Sequence, residues 1–487
     1  MEKKHHKVVI VGSGFGGQCA AINLKQNHIA DFVILERRDF VGGTWTQNSY
    51  PGAAVDVQSI LYSFSFEPYD WSRMFAHGDE LRRYTDHIFK KYNLKAKTRT
   101  GQNVTSMQWD DDKKLWTVTV NDGQQLTADY VINSTGPLST PVIPKFKGAE
   151  LFKGASFHTN DWQHDVDLSN KNVAIVGSGA SAAQVIPAIA SKVKKLHVFQ
   201  RSPHWVIPRK DTVFKKWQRW LLANKLIGRL FRWLTYWALE SRIIGFKYSK
   251  TILNLWVGKV SKQHLENQIE DPVLRAKLLP NYTIGCKRII VSSTLYPALA
   301  QKNVELHDKT DGIAEIRESS ILSAAGKELD VDIIVFSTGY DATDGIISYP
   351  IYGKEKRELH RFWADYPRAY LGTSIPNFPN LFIVTGPNTG IGHTSAIFII
   401  ESQMKYILKA IKTVEASKAS SIEVTSEAEE QYTKMIHSEM SSTVWQQGGC
   451  NSWYKGKSGK VIAMFPGFSF TFRRMCKKLQ RKHHLLE

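Results

Sequence analysis

Short apolar runs broken by glycine-rich turns set the pattern of the N-terminal part of the chain. Residues 7–12 (KVVIVG) and 31–36 (DFVILE) are apolar runs of strand length, and QCAAINLKQN between them reads as helix. Residues 171–201 repeat that order: KNVAIVG, the turn SGASA, the helical AQVIPAIASKV and the strand KLHVFQR. Segments ADYVINSTG (128–136) and VDIIVFSTG (331–339) predict strands that return to each unit. NLFIVTGPN (380–388) predicts a further strand, and a helix is expected from about 395 to 415. Two strand–turn–helix–strand units, 165 residues apart by Gly12 and Gly177, predict an α/β fold with two Rossmann-like domains. The predicted division is 1–140 with 341–487, 141–211 with 281–340, and a helical insertion over 212–280.

The turns carry the first chemistry. Gly12, Gly14, Gly16 and Gly17, with Phe15 among them, satisfy GxGxxG, where a side chain would hold a pyrophosphate away from the backbone amides. Glu36 ends the next strand, where a carboxylate can accept a ribose hydroxyl. The second loop contains Gly177, Gly179, Ser181 and Ala182, and its following strand ends in Gln200-Arg201-Ser202 with no acid. Arg201 suits a 2′-phosphate and so favours NADPH over NADH, or else it is an ordinary surface residue. Two different loops predict two different nucleotides, a flavin first and a nicotinamide second, and hence redox chemistry.

Composition narrows the remaining classes. The 487 residues are 42% hydrophobic and 22% charged, which fits an ordered chain of more than one domain. The opening MEKKHHKVVIVG runs directly into a strand pattern, so no secretion leader is expected. The four cysteines lack zinc or CxxC spacing, so neither a disulfide framework nor a dithiol centre is expected, in keeping with a reducing cytoplasm. No metal-ligand cluster appears.

The formal charge is +19, and two segments hold most of it: 212–250 with nine Lys/Arg against Glu240 alone, and 473–482 with six. The first also carries Trp217, Trp220, Phe231, Trp233, Tyr236 and Trp237, and its charges interrupt any membrane span. Projected as one helix it shows no clean apolar face, which favours buried or half-buried helices with snorkelling Lys/Arg over a membrane-surface patch. Nucleic-acid binding is not expected, because no recognition motif accompanies the charge.

Between the loops, Gly42 and Gly43 allow close backbone approach to a cofactor, and Trp45 can lie against a flat ring. Asp56, an acid in an apolar stretch, is either a site residue with a cationic partner or a turn cap near Ser59. The first loop, Gly43-Thr44-Trp45, the YPG at 50–52 and Asp56 together resemble class B flavoprotein monooxygenases. Phe152, Gly154, His158 and Trp162 match FxGxxxHxxxW, so the chain is identified as a member of the Baeyer–Villiger monooxygenases. Gln163 stands where many members have proline.

The resemblance implies FAD and NADPH as cofactors and O₂ as co-substrate. It implies a C4a-peroxyflavin that oxygenates a lipophilic ketone to an ester or lactone, N- or S-oxygenation being the alternative. It points to Arg288 as the catalytic cation, to Asp56 as the residue that holds it, and to Lys287, Arg201 and Ser202 at the 2′-phosphate. His158 is read as a hinge or packing residue as readily as a chemical one. Asn388 and His393 either bond FAD or stabilise their loop, and Trp445 either lines the substrate pocket or belongs to the core. The basic segments would at most add a peripheral membrane contact to a cytoplasmic enzyme.

Overall fold

Two largely parallel sheets, each opening on a glycine loop, organise the chain. The computed structural model describes residues 4–121 and 123–487, so the first three residues of the opening segment lie outside it. Strand β1 (His5–Val11), helix α1 (Phe15–Gln26), strand β2 (Phe32–Leu35) and strand β3 (Gln124–Asn133) form the first unit. Val9 of β1 pairs in parallel with Val33 on one side and Val131 on the other. An antiparallel hairpin, Val104–Asp110 and Leu115–Val120, widens this sheet beyond β3, and Leu381–Ile383 adds to β3 in parallel. The hairpin had no counterpart among the predicted elements.

The second unit contains β4 (Ala155–His158), β5 (Asn172–Val176), α2 (Ala180–Ile189), β6 (Lys195–Phe199), β7 (Val304–His307) and β8 (Ile333–Phe336). Its strands run in the order β7-β6-β5-β8-β4, all parallel. Val173, Ile175 and Val335 have no exposed surface, as continuous apolar runs covered on both faces require.

Between β6 and β7 lie α3 (Lys216–Ala223) and α4 (Lys225–Glu240). Asn224 separates them and caps α4, its Oδ1 accepting from the Leu226 and Ile227 amides at 3.0 and 3.3 Å. That break explains why one projection of the whole segment shows no clean face: it carries a single register across two helix axes. Taken alone, α4 has a clean face, formed by Leu226, Ile227, Leu230, Trp233, Leu234 and Trp237. This face points to solvent, with Leu226 77% and Trp233 56% exposed. The opposite face turns inward: Arg232 donates to the Ile60 and Ser63 carbonyls, and Glu240 is fully buried. The helix is half-buried, as expected; what differs from the snorkelling reading is that its apolar stripe faces out while Arg232 turns in.

Helix α5 (Ala396–Ala416) follows the more usual rule. It packs on α1 and buries Ile397, Met404, Ile407 and Ile411. Helix α6 (Ser469–Cys476) packs against α5 and reaches α4 through ring contact of Phe470 with Trp237. Among the described residues no helix is long and apolar enough to cross a membrane.

Candidate active site

A cavity of about 1760 Å³ takes its walls from both glycine loops, from 42–58, from 285–291 and from 445–464. That exceeds the usual span of a pocket for one small ligand. No side chain caps the N-terminus of α1 or α2, so each helix keeps its first-turn amides for an anion. Glycine is required at close approaches. A Cβ on Gly17 would lie 1.9 Å from the Gly12 carbonyl oxygen, and one on Gly43 (φ +64°) would lie 2.6 Å from Gly14 Cα. Gly17 and the buried Ala182 thus serve helix packing, whereas Gly12, Gly14, Phe15, Gly16, Gly43, Thr44 and Trp45 line the cavity.

Glu36 lines the cavity too, but its Oε2 is already engaged by the Ser13 amide and hydroxyl at 2.9 and 2.6 Å. Trp45 donates from Nε1 to the Tyr62 hydroxyl at 3.1 Å, which fixes the indole at the cavity wall. In the second loop Gly177, Gly179 and Ser181 line the cavity together with Arg201, Ser202 and Lys287. Lys287 Nζ donates to Ser202 Oγ at 2.5 Å, and burial with the nearby Arg201 charge pushes the ammonium below its ordinary range. Among the described residues neither cation has an ion-pair partner, a setting completed by an anion such as a 2′-phosphate. Burial and Lys287 also push the His204 ring down to about 4, so it is neutral beside that site.

Asp56 and Arg288, 232 residues apart, meet through two parallel hydrogen bonds. Arg288 Nε donates to Asp56 Oδ2 at 2.7 Å and Nη2 to Oδ1 at 2.6 Å. The Arg288 side chain stays 46% exposed and lines the cavity, so Asp56 is its holder and not a turn cap. Burial pushes the Asp56 carboxyl up, but the charge and hydrogen bonds of Arg288 outweigh it and hold it below its ordinary value. The Asp56 charge in turn raises Arg288 further, against burial. Tyr62 and Tyr454 stand on the same cavity wall.

The motif over 152–162 works beside the cavity. His158 is buried, its Nδ1 accepts from the Asn160 amide at 3.0 Å, and burial lowers its ring. Asn160 accepts from Gln47 Nε2 at 2.6 Å and donates from Nδ2 to the Tyr340 hydroxyl, which donates to Asn48 Oδ1. Through this chain the segment ties the Trp45 loop to the end of β8. Gly154 lets β4 approach Asp332, Phe152 packs by Phe336, and Trp162 meets Phe157 edge-on at 5.2 Å. This geometry gives His158 a linking and packing place.

Two side chains fall within the alternatives left open in the sequence. Asn388 donates to the Val461 and Met464 carbonyls, both at 3.0 Å, and is absent from the cavity wall, so it is a loop organiser. Trp445 is 1% exposed, stacks on Phe246 and still lines the cavity, so it is core and wall together. His393, also lining the cavity, stands 3.4 Å from the buried Glu240 carboxylate. Sequence spacing gave no sign of that pair.

The cysteine expectation is corrected. Cys286 and Cys450 form a disulfide across 164 residues, joining the Lys287–Arg288 segment to the loop that carries Trp453 and Tyr454. Spacing rules detect local pairs, and this one depends on tertiary approach.

Residues 6–228 match the family model described as pyridine nucleotide-disulphide oxidoreductase. A Baeyer-Villiger monooxygenase of Pseudomonas aeruginosa is 40% identical over 99% of this chain and 92% of its own length. The chain belongs to the Baeyer–Villiger monooxygenase family. A second such monooxygenase, from Streptomyces coelicolor, is also 40% identical, over 98% of this chain and 92% of its own. An oxidized steroid monooxygenase bound to NADP aligns with TM-score 0.88 at 28% identity, over 99% of each chain. Cyclohexanone monooxygenase from Rhodococcus sp. Phi1, bound to NADP+, aligns with TM-score 0.90 at 26% identity over the whole of both chains. As a Baeyer–Villiger monooxygenase the chain is an FAD- and NADPH-dependent enzyme, and the two glycine-bearing loops, each leading into a helix with no side-chain cap, fit those two dinucleotides.

Proposed function

We propose that the enzyme converts a small lipophilic ketone to an ester or lactone, with Arg288 as the catalytic cation and Asp56 as its positioning residue. The carrying observation is the two-bond Asp56–Arg288 pair with its guanidinium open to the cavity. The loop at Gly12–Gly17, with Gly43, Thr44 and Trp45, would hold FAD, and Gly177, Gly179 and Ser181 with Arg201, Ser202 and Lys287 would hold NADPH. Bound FAD, reduced by NADPH, would activate O₂ for transfer of one oxygen atom to the substrate.

Everything else falls to the chain's own groups. Arg288 keeps its proton, so it offers a fixed positive charge where negative charge develops on oxygen, and Asp56 spares it reorientation. Trp445, Phe246, Ile462 and Met464 form an apolar wall that excludes water and suits an apolar substrate body. The apolar wall supports a lipophilic ketone over a charged one.

The test is product analysis of the holoenzyme on a panel of cyclic, aryl and long-chain ketones under isotopically labelled O₂. One labelled oxygen in an ester or lactone for each NADPH consumed is expected. Sulfoxide or N-oxide as the sole oxygenated product, or NADPH oxidation without any, would refute it.

A further inference from the structure

The apolar face of α4 is turned the wrong way for a protein that ends at its own surface. Leu226, Ile227, Leu230, Trp233, Leu234 and Trp237 recur on one side of the helix, each between 41% and 77% exposed. Tertiary packing normally buries such a stripe, yet here the inward side carries Arg232 and Glu240 beside Phe231, Tyr236 and Leu239, and the larger apolar stripe is left outside. The inward groups are held firmly. Arg232 reaches the Ile60 and Ser63 carbonyls, and Glu240 accepts from the Ser469 amide and hydroxyl at 2.5 and 2.7 Å. The helix therefore cannot simply roll its leucines inward.

Neighbouring elements extend the outward face. Trp217 and Trp220 of α3 are 59% and 75% exposed, and Phe470 of α6 touches Trp237. Beyond α4, Ile244, Ile252, Trp256 and Val260 are exposed and also line the cavity; the buried Leu239, and Arg242 just past the helix, line it too. The outward apolar surface thus reaches the rim of the active-site cavity.

The unpaired charge around it has one sign, for Asp70 and Glu439 are taken up by Arg219 and Lys247. Lys216, Lys225 and Arg229 on α3 and α4, and Arg474, Lys477 and Lys478 at the end of the chain, are exposed. Among the described residues none of the six forms an ion pair. Exposed tryptophan and leucine with a cationic surround, on a helix of 16 residues and about 24 Å, is the composition of a helix lying in a bilayer interface.

We infer that α4, with α3 and α6 beside it, docks on the surface of an anionic phospholipid bilayer, so that the cavity rim faces the lipid. The apolar stripe enters the headgroup boundary, and the lysines and arginines meet lipid phosphates. That lipophilic substrate enters from the bilayer rests on the ketone reading above; the docking itself does not.

The test is flotation of the FAD-loaded full chain with vesicles of phosphatidylcholine alone or with a third phosphatidylglycerol. Wild type is expected to bind the anionic vesicles at least about tenfold more strongly than the neutral ones, with loss of the difference at high salt. Leu230→Glu with Trp233→Glu is expected to weaken binding at least about tenfold while keeping FAD content and the rate of flavin reduction by NADPH. Lys225→Glu with Arg229→Glu should weaken it less and remove part of the lipid-charge dependence.

Wild type that stays unbound with anionic vesicles would overturn the inference, as would binding untouched by both double variants. A wild-type dimer in size-exclusion chromatography that Leu230→Glu splits, without vesicle binding, would assign the face to a second copy instead. Vesicle binding by an enzyme that forms no ester would sink the ketone reading and leave docking standing.

Discussion

Arg288 and Arg232 both turn inward, yet they meet opposite surroundings. Arg288 is locked to one carboxylate and leaves nearly half its surface on a cavity. Arg232 spends its donors on the Ile60 and Ser63 groups, and burial pushes it below its ordinary range. The first guanidinium is oriented and kept accessible; the second is consumed by backbone carbonyls. An inward arginine is therefore read by what its donors leave unused. By that measure Arg288 can act on a ligand, and Arg232 fixes which face of α4 points out.

Substitutions should separate the two roles. Asp56→Ala frees the Arg288 side chain, and product formation is expected to fall about 10²-fold with flavin reduction by NADPH unchanged. Asp56→Glu should recover part of that loss, as measured by ester yield beside stopped-flow reduction. Arg232→Met leaves buried carbonyls without donors and should lower stability by about 1–3 kcal/mol in urea unfolding, with product per NADPH unchanged. If Arg232→Met instead uncoupled NADPH use from product, the contrast between the two arginines would fail.

Lys287 extends the comparison as a cation with neither an acid nor a ring of carbonyls around it. Lys287→Ala should raise the KM for NADPH about tenfold and leave the KM for NADH nearly unchanged. The smallest effect concerns pH. The Asp56 carboxyl lies below its ordinary value, so the pair's stabilisation is present above the usual carboxylate range and fades as pH falls through the folded value. Thermal stability of Asp56→Asn should thus drop more slowly on acidification below about pH 4 than that of wild type. Equal acid slopes would contradict the pairing.

Much of the fold was legible because its signals are local. A strand, a glycine turn and a helix lie within a few tens of residues, and their periodicities change where the elements do. The partners of Asp56 were not legible from the residues alone: Arg288 was named through family resemblance, and only folding shows the two bonds between them. The Cys286–Cys450 bridge and the His393–Glu240 contact stayed hidden for the same reason. With α4 the failure was of another kind. Its pattern contains two faces, but periodicity says nothing of which one meets protein, and the break at Asn224 blurred even the pattern.

Arg288→Ala offers the most direct measurement. The purified holoenzyme should retain FAD and be reduced by NADPH at the wild-type rate, while ester or lactone formation falls to about one-hundredth or less. NADPH oxidation should then continue with O₂ as its sink and no oxygenated product. Ketone conversion by that variant at a near-wild-type rate would contradict the role of the Asp56–Arg288 pair.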